Sequence, residues 1–348
     1  MNTHTAAPLK IVQWATGNIG TRSLQAIIEH PRMELVGLYV HSASKAGKDA
    51  GELCGMAPTG VIATNDIEKI IGLQADCVLY MQQGCDVDDV CRLLESGANV
   101  VTTRVEFHHP RALDTTVRER IEAACQCGGS SLYSTGSSPG FITEVMPLGL
   151  LSLQRRLDCL TIDEYANMSS RNSPEMIFQL MGFGQPMGEY GEQRLAHVRE
   201  GFAFSLGQIA DAIAMPLDSF DVKGEFAAAS KTVEIAAGVI EQGKVGAQRI
   251  SIVGMRAGRP LLQMRLNWYC TTEIEADWDL RETGWRLLVE GDTPLDVCIT
   301  FPVSEAAMAA TTPGYTAHRA VNAVAAVCAA APGIRTTVDL PQIIPELG

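Results

Sequence analysis

Three side chains that can carry protons fall close together in the segment 102–110, TTRVEFHHP. Glu106 is the only carboxylate in this segment. Beside a carbon that accepts a hydride, a carboxylate can stabilise a positive iminium or remove a proton from ammonium or water. A solvated loop glutamate is the alternative interpretation. His108 and His109 are further acid–base candidates, although adjacent histidines ahead of a helix are also typical of surface or capping positions.

A second candidate lies near the N-terminus, in KIVQWATGNIG at residues 10–20. Ala15, Gly17 and Gly20 have the spacing of the dinucleotide fingerprint, with alanine in the first glycine position. Gly17 would let the backbone approach a pyrophosphate, and Gly20 would let the following helix pack closely on the strand. An ordinary strand-to-helix turn is the alternative, but the flanking strand and helix favour a nucleotide site. The residues expected to contact the cofactor here are Ala15, Thr16, Gly17, Asn18, Ile19 and Gly20.

The choice of nucleotide depends on the end of the second strand, where NAD-preferring domains usually carry an acid that binds the ribose 2′-hydroxyl. Here the strand ends at His41 and Ser42, with Lys45 and Lys48 following. Because Ser42 and a lysine would receive a 2′-phosphate, NADP is the expected cofactor, with NAD tolerated; solvated loop lysines are the alternative. Arg22 opposes the dipole of the fingerprint helix, and a phosphate contact would explain its position. The other residues expected to contact the cofactor are Met81, Gln82, Thr102 and Thr103.

The elements that must position these groups alternate between strands and helices over residues 1–138. Short, almost continuously apolar strands are predicted near 11–12, 35–42, 61–64, 76–81, 99–103 and 131–134. Such strands, separated by amphipathic helices, are typical of a parallel sheet covered on both faces. Residues 1–138 are therefore predicted to form a doubly wound Rossmann domain of the α/β class, whose ligands lie beyond the carboxyl ends of the strands.

The pattern changes near residue 138. Residues 139–312 are predicted to form an α+β domain with a largely antiparallel sheet, which would bind substrate. Its helices are expected near 142–153, 174–181 and 192–213, and its strands near 159–165, 247–255, 261–271 and 285–290. The open face of this sheet is expected to be buried in a symmetric homodimer. Within the C-terminal segment 313–348, an apolar helix over 316–331 is expected to pack back on the Rossmann domain.

The composition excludes several other classes of protein. With 46% hydrophobic and 19% charged residues, the 348-residue chain can form two packed cores. The net charge of −13 argues against binding to nucleic acid or to anionic membranes. The ten cysteines are scattered without zinc spacing, which predicts reduced thiols and no metal site. Since the sequence shows neither a signal peptide nor a membrane-spanning run, a cytoplasmic protein is expected.

The chain resembles the dihydrodipicolinate-reductase-like dehydrogenases in five separated segments, WATGNIG, LVGLYVHS, VVTTRVEFHHP, STGSSPGF and HRAVNAVAAVCAAAPGI. Within that group it resembles the branch of 2,4-diaminopentanoate dehydrogenase and the NAD(P)H-dependent amine dehydrogenases, over nearly its whole length. In the amine dehydrogenases a glutamate in the loop after strand five is catalytic, and the matching position is Glu106. The resemblance therefore implies an NAD(P)-dependent oxidoreductase acting on CH–NH2 or C=N bonds.

One segment departs from the true dihydrodipicolinate reductases. Those enzymes follow the first strand of the second domain with paired histidines, an arginine and a lysine, whereas this chain has YANMSSRNSP at residues 165–174. The groups for a dicarboxylate substrate are absent, so the lysine-biosynthetic reaction is not expected. The segment either lines a substrate pocket or is an ordinary polar loop. The residues expected in such a pocket are Phe141, Asn167, Arg171, Met176, His197, Asn267, Thr311 and Thr312.

Three functions stay open at this point. The leading hypothesis is an amine dehydrogenase, which would aminate a ketone or aldehyde reductively with ammonia, or deaminate an amine oxidatively, with Glu106 assisting. The second is an NADP-dependent reductase of C=O or C=C bonds that uses no ammonia. The third is a non-catalytic sensor that binds NADP(H). Dependence on ammonium separates the first two, and the sequence names neither the substrate nor the direction of the reaction.

Overall fold

The computed structural model describes residues 7–347 and divides the chain into two compact units. The first consists of residues up to Phe141 together with those from Ala310, and the second is Ile142–Ala309. The boundaries expected from the sequence, 138/139 and 312/313, each lie three residues from these divisions. The first unit is thus built from both ends of the chain.

Strands and helices alternate through the first unit. In chain order, residues 7–141 contain β1 (Leu9–Trp14), α1 (Asn18–Glu29), β2 (Met33–Tyr39), α2 (Ala50–Cys54), α3 (Ile67–Ile71), β3 (Cys77–Tyr80), α4 (Val87–Glu95), β4 (Asn99–Thr102), α5 (Thr115–Gly128) and β5 (Ser131–Ser134). The rest of the chain contains α6 (Met146–Leu151), β6 (Leu157–Asn167), α7 (Glu192–Ala212), β7 (Ser219–Ala228), β8 (Val233–Ile235), β9 (Gly238–Ile240), β10 (Val245–Arg256), β11 (Arg259–Tyr269), β12 (Gly284–Gly291), β13 (Leu295–Thr300), α8 (Glu305–Cys328) and β14 (Gly333–Arg335). Short helical turns lie at Val105–His108, Pro110–Ala112 and Glu175–Leu180.

The sheet of the first unit has the strand order β14-β5-β4-β3-β1-β2, and every neighbouring pair is parallel. Every residue of β3 and β5 is buried, as expected where helices cover both faces. Leu94 of α4 and Ile121 of α5 lie in the core on one face, and Val324 of α8 lies in the core on the other. The predicted Rossmann domain is confirmed.

One predicted strand of this domain is wrong, because residues 61–64 make only isolated bridges. The backbone of this segment pairs instead with residues 47–50 of the preceding loop. Asp49 holds that loop together, since its carboxylate accepts hydrogen bonds from the amides of Thr59 and Gly60 at 2.9 and 2.7 Å. Local polar groups therefore turn a short apolar run into the return limb of a loop.

The last helix also differs from its prediction. α8 begins at Glu305 rather than at residue 316, and it runs through Pro313. A proline inside a helix removes one hydrogen bond from the ladder and disfavours the helical conformation. In the turn before this proline, Arg22 of α1 donates a hydrogen bond to the Ala310 carbonyl oxygen at 3.2 Å. A side chain from α1 thus contacts the turn of α8 that precedes the proline.

The second unit contains another six-stranded sheet, in the order β13-β12-β6-β11-β10-β7. Its pairs are antiparallel except for β6 with β11, which run parallel. Leu206 and Ile209 of α7 lie in one apolar cluster with Leu262 and Met264 of β11. The predicted α+β domain with a largely antiparallel sheet is confirmed.

The face of this sheet that does not pack against α7 carries charged side chains, because successive residues of a strand point to opposite faces. Asp163 of β6 is 1% exposed and accepts two hydrogen bonds from Arg265 of β11, at 2.6 and 2.7 Å. Arg286 makes the same two-bond contact with Asp296, at 2.8 and 2.7 Å, but the Asp296 side chain is 47% exposed. The two pairs therefore differ mainly in the burial of their carboxylates.

We expect Arg265→Met to lower the free energy of unfolding by about 3–5 kcal/mol, because it leaves the buried Asp163 carboxylate without its cation. Arg286→Met is the matched control and should cost about 1 kcal/mol or less, since water reaches Asp296. Urea denaturation of both variants measures the difference. Equal losses would show that burial of the carboxylate does not decide the effect.

Candidate active site

The register of the first sheet brings the carboxyl ends of five neighbouring strands to one level. Trp14 pairs with Tyr39 of β2 and with Tyr80 of β3, while Thr102 of β4 pairs with Tyr80 and with Ser134 of β5. The Thr102 hydroxyl donates to the Tyr80 carbonyl oxygen at 2.7 Å, which fixes this end of the strands. Ligands of doubly wound sheets bind beyond this edge. The loops that leave it therefore form the candidate site.

The turn after β1 has the shape of a phosphate cradle. Ala15 has a φ of 71°, in the left-handed region that glycine usually occupies. Gly17 is exposed, begins α1 without a side-chain cap, and has open space where a Cβ would stand. At Gly20 a Cβ would lie 2.3 Å from the Ala15 carbonyl oxygen, so glycine is needed for α1 to pack this closely. An uncapped helix N-terminus behind an exposed glycine suits a pyrophosphate, and these residues fit an NAD(P) cofactor.

We expect Ala15→Gly to change the free energy of unfolding by no more than about 1 kcal/mol in either direction. The left-handed conformation costs alanine about 1–2 kcal/mol, and glycine loses about 0.5–1 kcal/mol more backbone entropy on folding. Thermal unfolding measures the sum, with Ala257→Gly as the control because Ala257 has a φ of 50° and is exposed. A large loss at Ala15 alone would show that its methyl group contributes packing rather than strain.

Lys45 contacts the same turn. Its ammonium donates to the Thr16 carbonyl oxygen at 3.1 Å and to the Thr16 hydroxyl at 2.9 Å. A positive charge therefore lies beside the phosphate cradle. Ser42 is exposed after β2, whereas the Arg22 guanidinium is occupied in part by the Ala310 carbonyl. Their predicted contacts with a cofactor phosphate stay predictions.

An aromatic cluster lies at the ends of β1, β2 and β3. The ring of Trp14 stacks on that of Tyr39 at 3.7 Å and on that of Tyr80 at 5.6 Å. Gln82 joins the cluster by hydrogen bonds to the Trp14 indole, to the Tyr80 hydroxyl and to the ring of His41. His41 is exposed and lies edge-on to Tyr39, at 5.1 Å between ring centroids. The predicted cofactor residues His41 and Gln82 are thus brought into direct contact.

Glu106 lies in the helical turn Val105–His108, directly after β4. Its two carboxylate oxygens contact the Nε and Nη2 atoms of Arg104, each at 3.1 Å, and both side chains are about one quarter exposed. The Ser134 hydroxyl donates to the Arg104 carbonyl oxygen at 2.7 Å and fixes the start of the turn. The pKa of the Cys85 thiol is raised to about 12, mainly by burial; the Glu106 charge contributes to the rise and Arg104 opposes it. The thiol is therefore neutral near pH 7 and poorly nucleophilic.

The other predicted residues of these loops differ in access. His108 is 3% exposed, whereas His109 is partly exposed. Met81 and Thr102 are buried at the edge of the sheet, and Thr103 is partly exposed. Of the three acid–base candidates, Glu106 and His109 are the ones that solvent reaches.

A cavity of about 510 Å³ in the second unit contains one predicted substrate residue, Asn167. The Asn167 amide donates to Glu305 at 2.5 Å and accepts from the Ser169 backbone at 2.9 Å. Tyr269 also lines the cavity, and burial raises its pKa to about 12, with Glu305 and Glu282 adding to the effect. The wall of the cavity therefore combines a neutral phenol with carboxylates.

The remaining pocket candidates have varied surroundings. Asn267 is fully buried and accepts a hydrogen bond from Arg249 at 2.7 Å, an arrangement that suits a structural role. Met176 packs in an apolar cluster, Arg171 is partly exposed, and His197 is exposed on α7. The candidates that belong to the first unit, all of them partly exposed, are Phe141, Thr311 and Thr312. Roles of these residues in substrate binding stay predictions.

Sequence reasoning missed two features of the site. The first is the pairing of Arg104 with Glu106, although a cation two residues before the only carboxylate was a visible signal. The second is the position of Gln82 at the centre of a hydrogen-bonded cluster with Trp14. Nothing in the residue pattern indicated that contact, because it joins residues that are 68 positions apart.

Two family models match most of the chain between them. The model described as dihydrodipicolinate reductase, N-terminus, matches residues 11–123, and the 2,4-diaminopentanoate dehydrogenase C-terminal domain matches residues 189–346. The chain is also similar to an amine dehydrogenase from Streptomyces virginiae, with 29% identity over 98% of both chains. The N-terminal part of the chain therefore resembles the dihydrodipicolinate reductases, and its C-terminal part resembles 2,4-diaminopentanoate dehydrogenase. The chain is an NAD(P)-dependent oxidoreductase that acts on CH–NH2 bonds, and it is similar to the 2,4-diaminopentanoate and amine dehydrogenases.

Further similarities concern the N-terminal part of the sequence and the fold. The 4-hydroxy-tetrahydrodipicolinate reductase of Synechococcus elongatus is 31% identical over 32% of this chain and 33% of that protein. The solved amine dehydrogenase of Mycobacterium smegmatis has the same fold, with a TM-score of 0.74 at 18% identity and coverage of 99% of both chains. An oxidoreductase structure from Magnetospirillum magnetotacticum gives a TM-score of 0.53 at 14% identity, over 95% of both chains.

Three further findings concern the described part of the chain. Its ten cysteines are free thiols. Between residues 7 and 347, no helix is both long and apolar enough to span a bilayer. In the same range, no group of three or more His, Cys, Asp or Glu could hold a metal ion. The homodimer and the cytoplasmic location stay predictions.

Proposed function

We propose that this dehydrogenase is an NADP(H)-preferring amine dehydrogenase, which aminates a ketone or aldehyde reductively with ammonia and in reverse deaminates an amine oxidatively. The observation that carries the proposal is Glu106, a partly exposed carboxylate held beyond the carboxyl end of β4. Similarity to an amine dehydrogenase along 98% of both chains supports a reaction on CH–NH2 and C=N bonds.

The proposed role of Glu106 follows from its contacts. Arg104 binds both carboxylate oxygens, so it orients the group. A carboxylate offers about four lone-pair sites, of which Arg104 uses one on each oxygen. The charge can therefore stabilise an iminium, which forms when ammonia adds to a carbonyl and water leaves. It can also accept the proton that ammonium releases before its nitrogen attacks.

The turn after β1, the start of α1 and the end of β2 are the features of the first unit that suit an NADP(H) cofactor. Gly17 and the N-terminus of α1 would hold the pyrophosphate, with Lys45 close by. The end of β2 carries no acid, and His41 and Ser42 are exposed there, which favours NADP over NAD. When bound, the cofactor supplies or removes the hydride; the residues of the chain bind, orient and handle protons.

The test is nicotinamide oxidation by the full-length chain with a panel of ketones and aldehydes, each with and without ammonium, using NADPH and NADH in parallel. Turnover that requires ammonium, and is faster with NADPH, is the expected result. Turnover that ignores ammonium would replace the proposal with a carbonyl or C=C reductase. Cofactor binding without any turnover across the panel would favour an NADP(H) sensor instead.

A further inference from the structure

The side-chain amide of Gln82 has a fixed orientation. The Trp14 indole N–H lies 2.8 Å from Gln82 Oε1, and an indole nitrogen can only donate a hydrogen bond. The atom facing Trp14 must therefore be the amide oxygen, and the amide nitrogen faces the Tyr80 hydroxyl. This assignment rests on the chemistry of the partners, so the usual ambiguity between oxygen and nitrogen does not arise.

The fixed amide determines where His41 carries its proton. Its Nε2 atom lies 2.5 Å from the same Gln82 Oε1, and an amide oxygen can only accept. Nε2 must therefore be protonated, and in a neutral ring Nδ1 is an acceptor. A second proton on the ring would go to Nδ1 and would turn it into a positively charged donor. The hydrogen bond between Trp14 and Gln82 thus makes Nδ1 the ring nitrogen that gains or loses a proton as the pH changes.

The position of His41 in the fold indicates what Nδ1 would contact, namely the ribose of the cofactor. His41 is exposed two residues after β2 ends at Tyr39. In dinucleotide-binding domains the residue at this place meets the ribose 2′-substituent. A neutral Nδ1 can accept a hydrogen bond from the 2′-hydroxyl of NAD, whereas a protonated Nδ1 can donate to the 2′-phosphate of NADP and neutralise part of its charge.

We propose that Gln82 positions the His41 ring beside the ribose 2′-substituent and that the protonation state of this ring decides which cofactor binds. The protonated ring selects NADP, and the neutral ring accepts NAD. The inference rests on the proposed preference for NADP(H) and makes that preference dependent on pH. Binding of NADP takes up a proton at Nδ1, so NADP affinity falls relative to NAD affinity as the pH rises.

The other titratable groups packed against His41 do not mimic this behaviour. Tyr39 of β2 contacts the ring, and Tyr80 of β3 contacts Gln82. Burial raises the pKa of both phenols, Tyr39 being raised further by Asp89, so both stay neutral where imidazole titrates. Burial also raises the pKa of Asp89 on α4, while the charge of His41 lowers it. The charges of Asp89 and His41 are close enough to interact, so Asp89 would repel a 2′-phosphate and a charged ring at His41 would offset that repulsion.

The experiment measures the dissociation constants of NADPH and NADH by fluorescence titration between about pH 6 and 8.5, the range in which imidazole loses its second proton. The expected result is a ratio of the NADPH to the NADH constant that rises with pH, by at most about tenfold per pH unit for one proton. His41→Asn keeps a hydrogen-bonding side chain without a titrating ring and should flatten the rise. Gln82→Glu should move the rise to higher pH, because a carboxylate at this place stabilises the charged ring.

Two comparisons make the result decisive. His318→Asn removes an exposed histidine of α8 and should keep the wild-type profile. The 2′-phosphate has its own proton near about pH 6, but that titration is common to all variants and cancels when they are compared. A wild-type ratio that does not rise with pH, or one that rises equally in His41→Asn, overturns the inference and leaves the proposed function intact. Failure of the folded chain to bind either nucleotide would instead remove the proposed function.

Discussion

Glu106→Gln is expected to lower the turnover number for ammonium-dependent amination by about 10²–10⁴-fold, the range typical of a lost acid–base group. The dissociation constant of NADPH should change by no more than about twofold, because the charge lost belongs to the transition state rather than to the bound nucleotide. Glutamine keeps the size of the side chain, but it can neither accept a proton nor stabilise an iminium. Steady-state kinetics with saturating ammonium and nucleotide binding by fluorescence measure the two effects.

The control for this variant is Glu119→Gln, which makes the same change of charge on an exposed residue of α5. It should leave both turnover and nucleotide binding unaltered. Glu106→Asp supplies a second comparison, because it keeps the charge but withdraws the carboxylate, and it should retain an intermediate rate. Full turnover in Glu106→Gln, with unchanged nucleotide binding, would transfer the acid–base role to His109, the other accessible candidate.

The fold was largely predictable because the short apolar runs of the sequence coincide with strands that are buried in the structure. The apolar runs that became β3, β4 and β5 are short and lie between amphipathic helices, so their period and length agree with a parallel sheet. The run at 61–64 carried the same signal but is tied into a loop by Asp49, a contact with residues about ten positions away that periodicity does not show. The strand Ser219–Ala228 was missed although polar and apolar residues alternate along it, the pattern of a strand with one solvated face.

The positions of the candidate site residues were predictable where those residues directly follow a strand. Glu106, His41 and Gly17 were identified because each follows a strand whose carboxyl end must lie at one edge of the sheet. Their partners were not, since the Glu106–Arg104 ion pair and the Gln82–His41 hydrogen bond depend on side-chain rotamers. The sequence pattern therefore placed these residues at one edge of the sheet, and packing determined which atom of each side chain makes a contact.

Gly17→Ala and Gly20→Ala are expected to separate nucleotide binding from stability within one turn. At Gly17 the added methyl group enters open space and the φ of −73° suits alanine, so the stability of the chain should not change. The methyl group would nevertheless stand where the pyrophosphate approaches the backbone, and the NADPH dissociation constant should rise by about tenfold or more. At Gly20 the methyl group would lie 2.3 Å from a backbone oxygen, so we expect a loss of about 1–3 kcal/mol in unfolding free energy as well.

Gly17→Ala and Gly20→Ala should differ because the atom that the Gly20→Ala methyl group would meet, the Ala15 carbonyl oxygen, belongs to the backbone and cannot rotate away as a side chain can. Helix α1 would have to shift from β1 in Gly20→Ala, and that shift would move the amide groups that Gly17 presents at the helix start. Gly149→Ala in α6 is the control, since its methyl group also meets open space but lies in the second unit, and it should leave NADPH binding unchanged. Chemical denaturation and fluorescence titration of all three variants supply the measurements. NADPH binding at wild-type strength in Gly17→Ala would place the phosphates away from this turn, and the cofactor site would have to be sought elsewhere along the sheet edge.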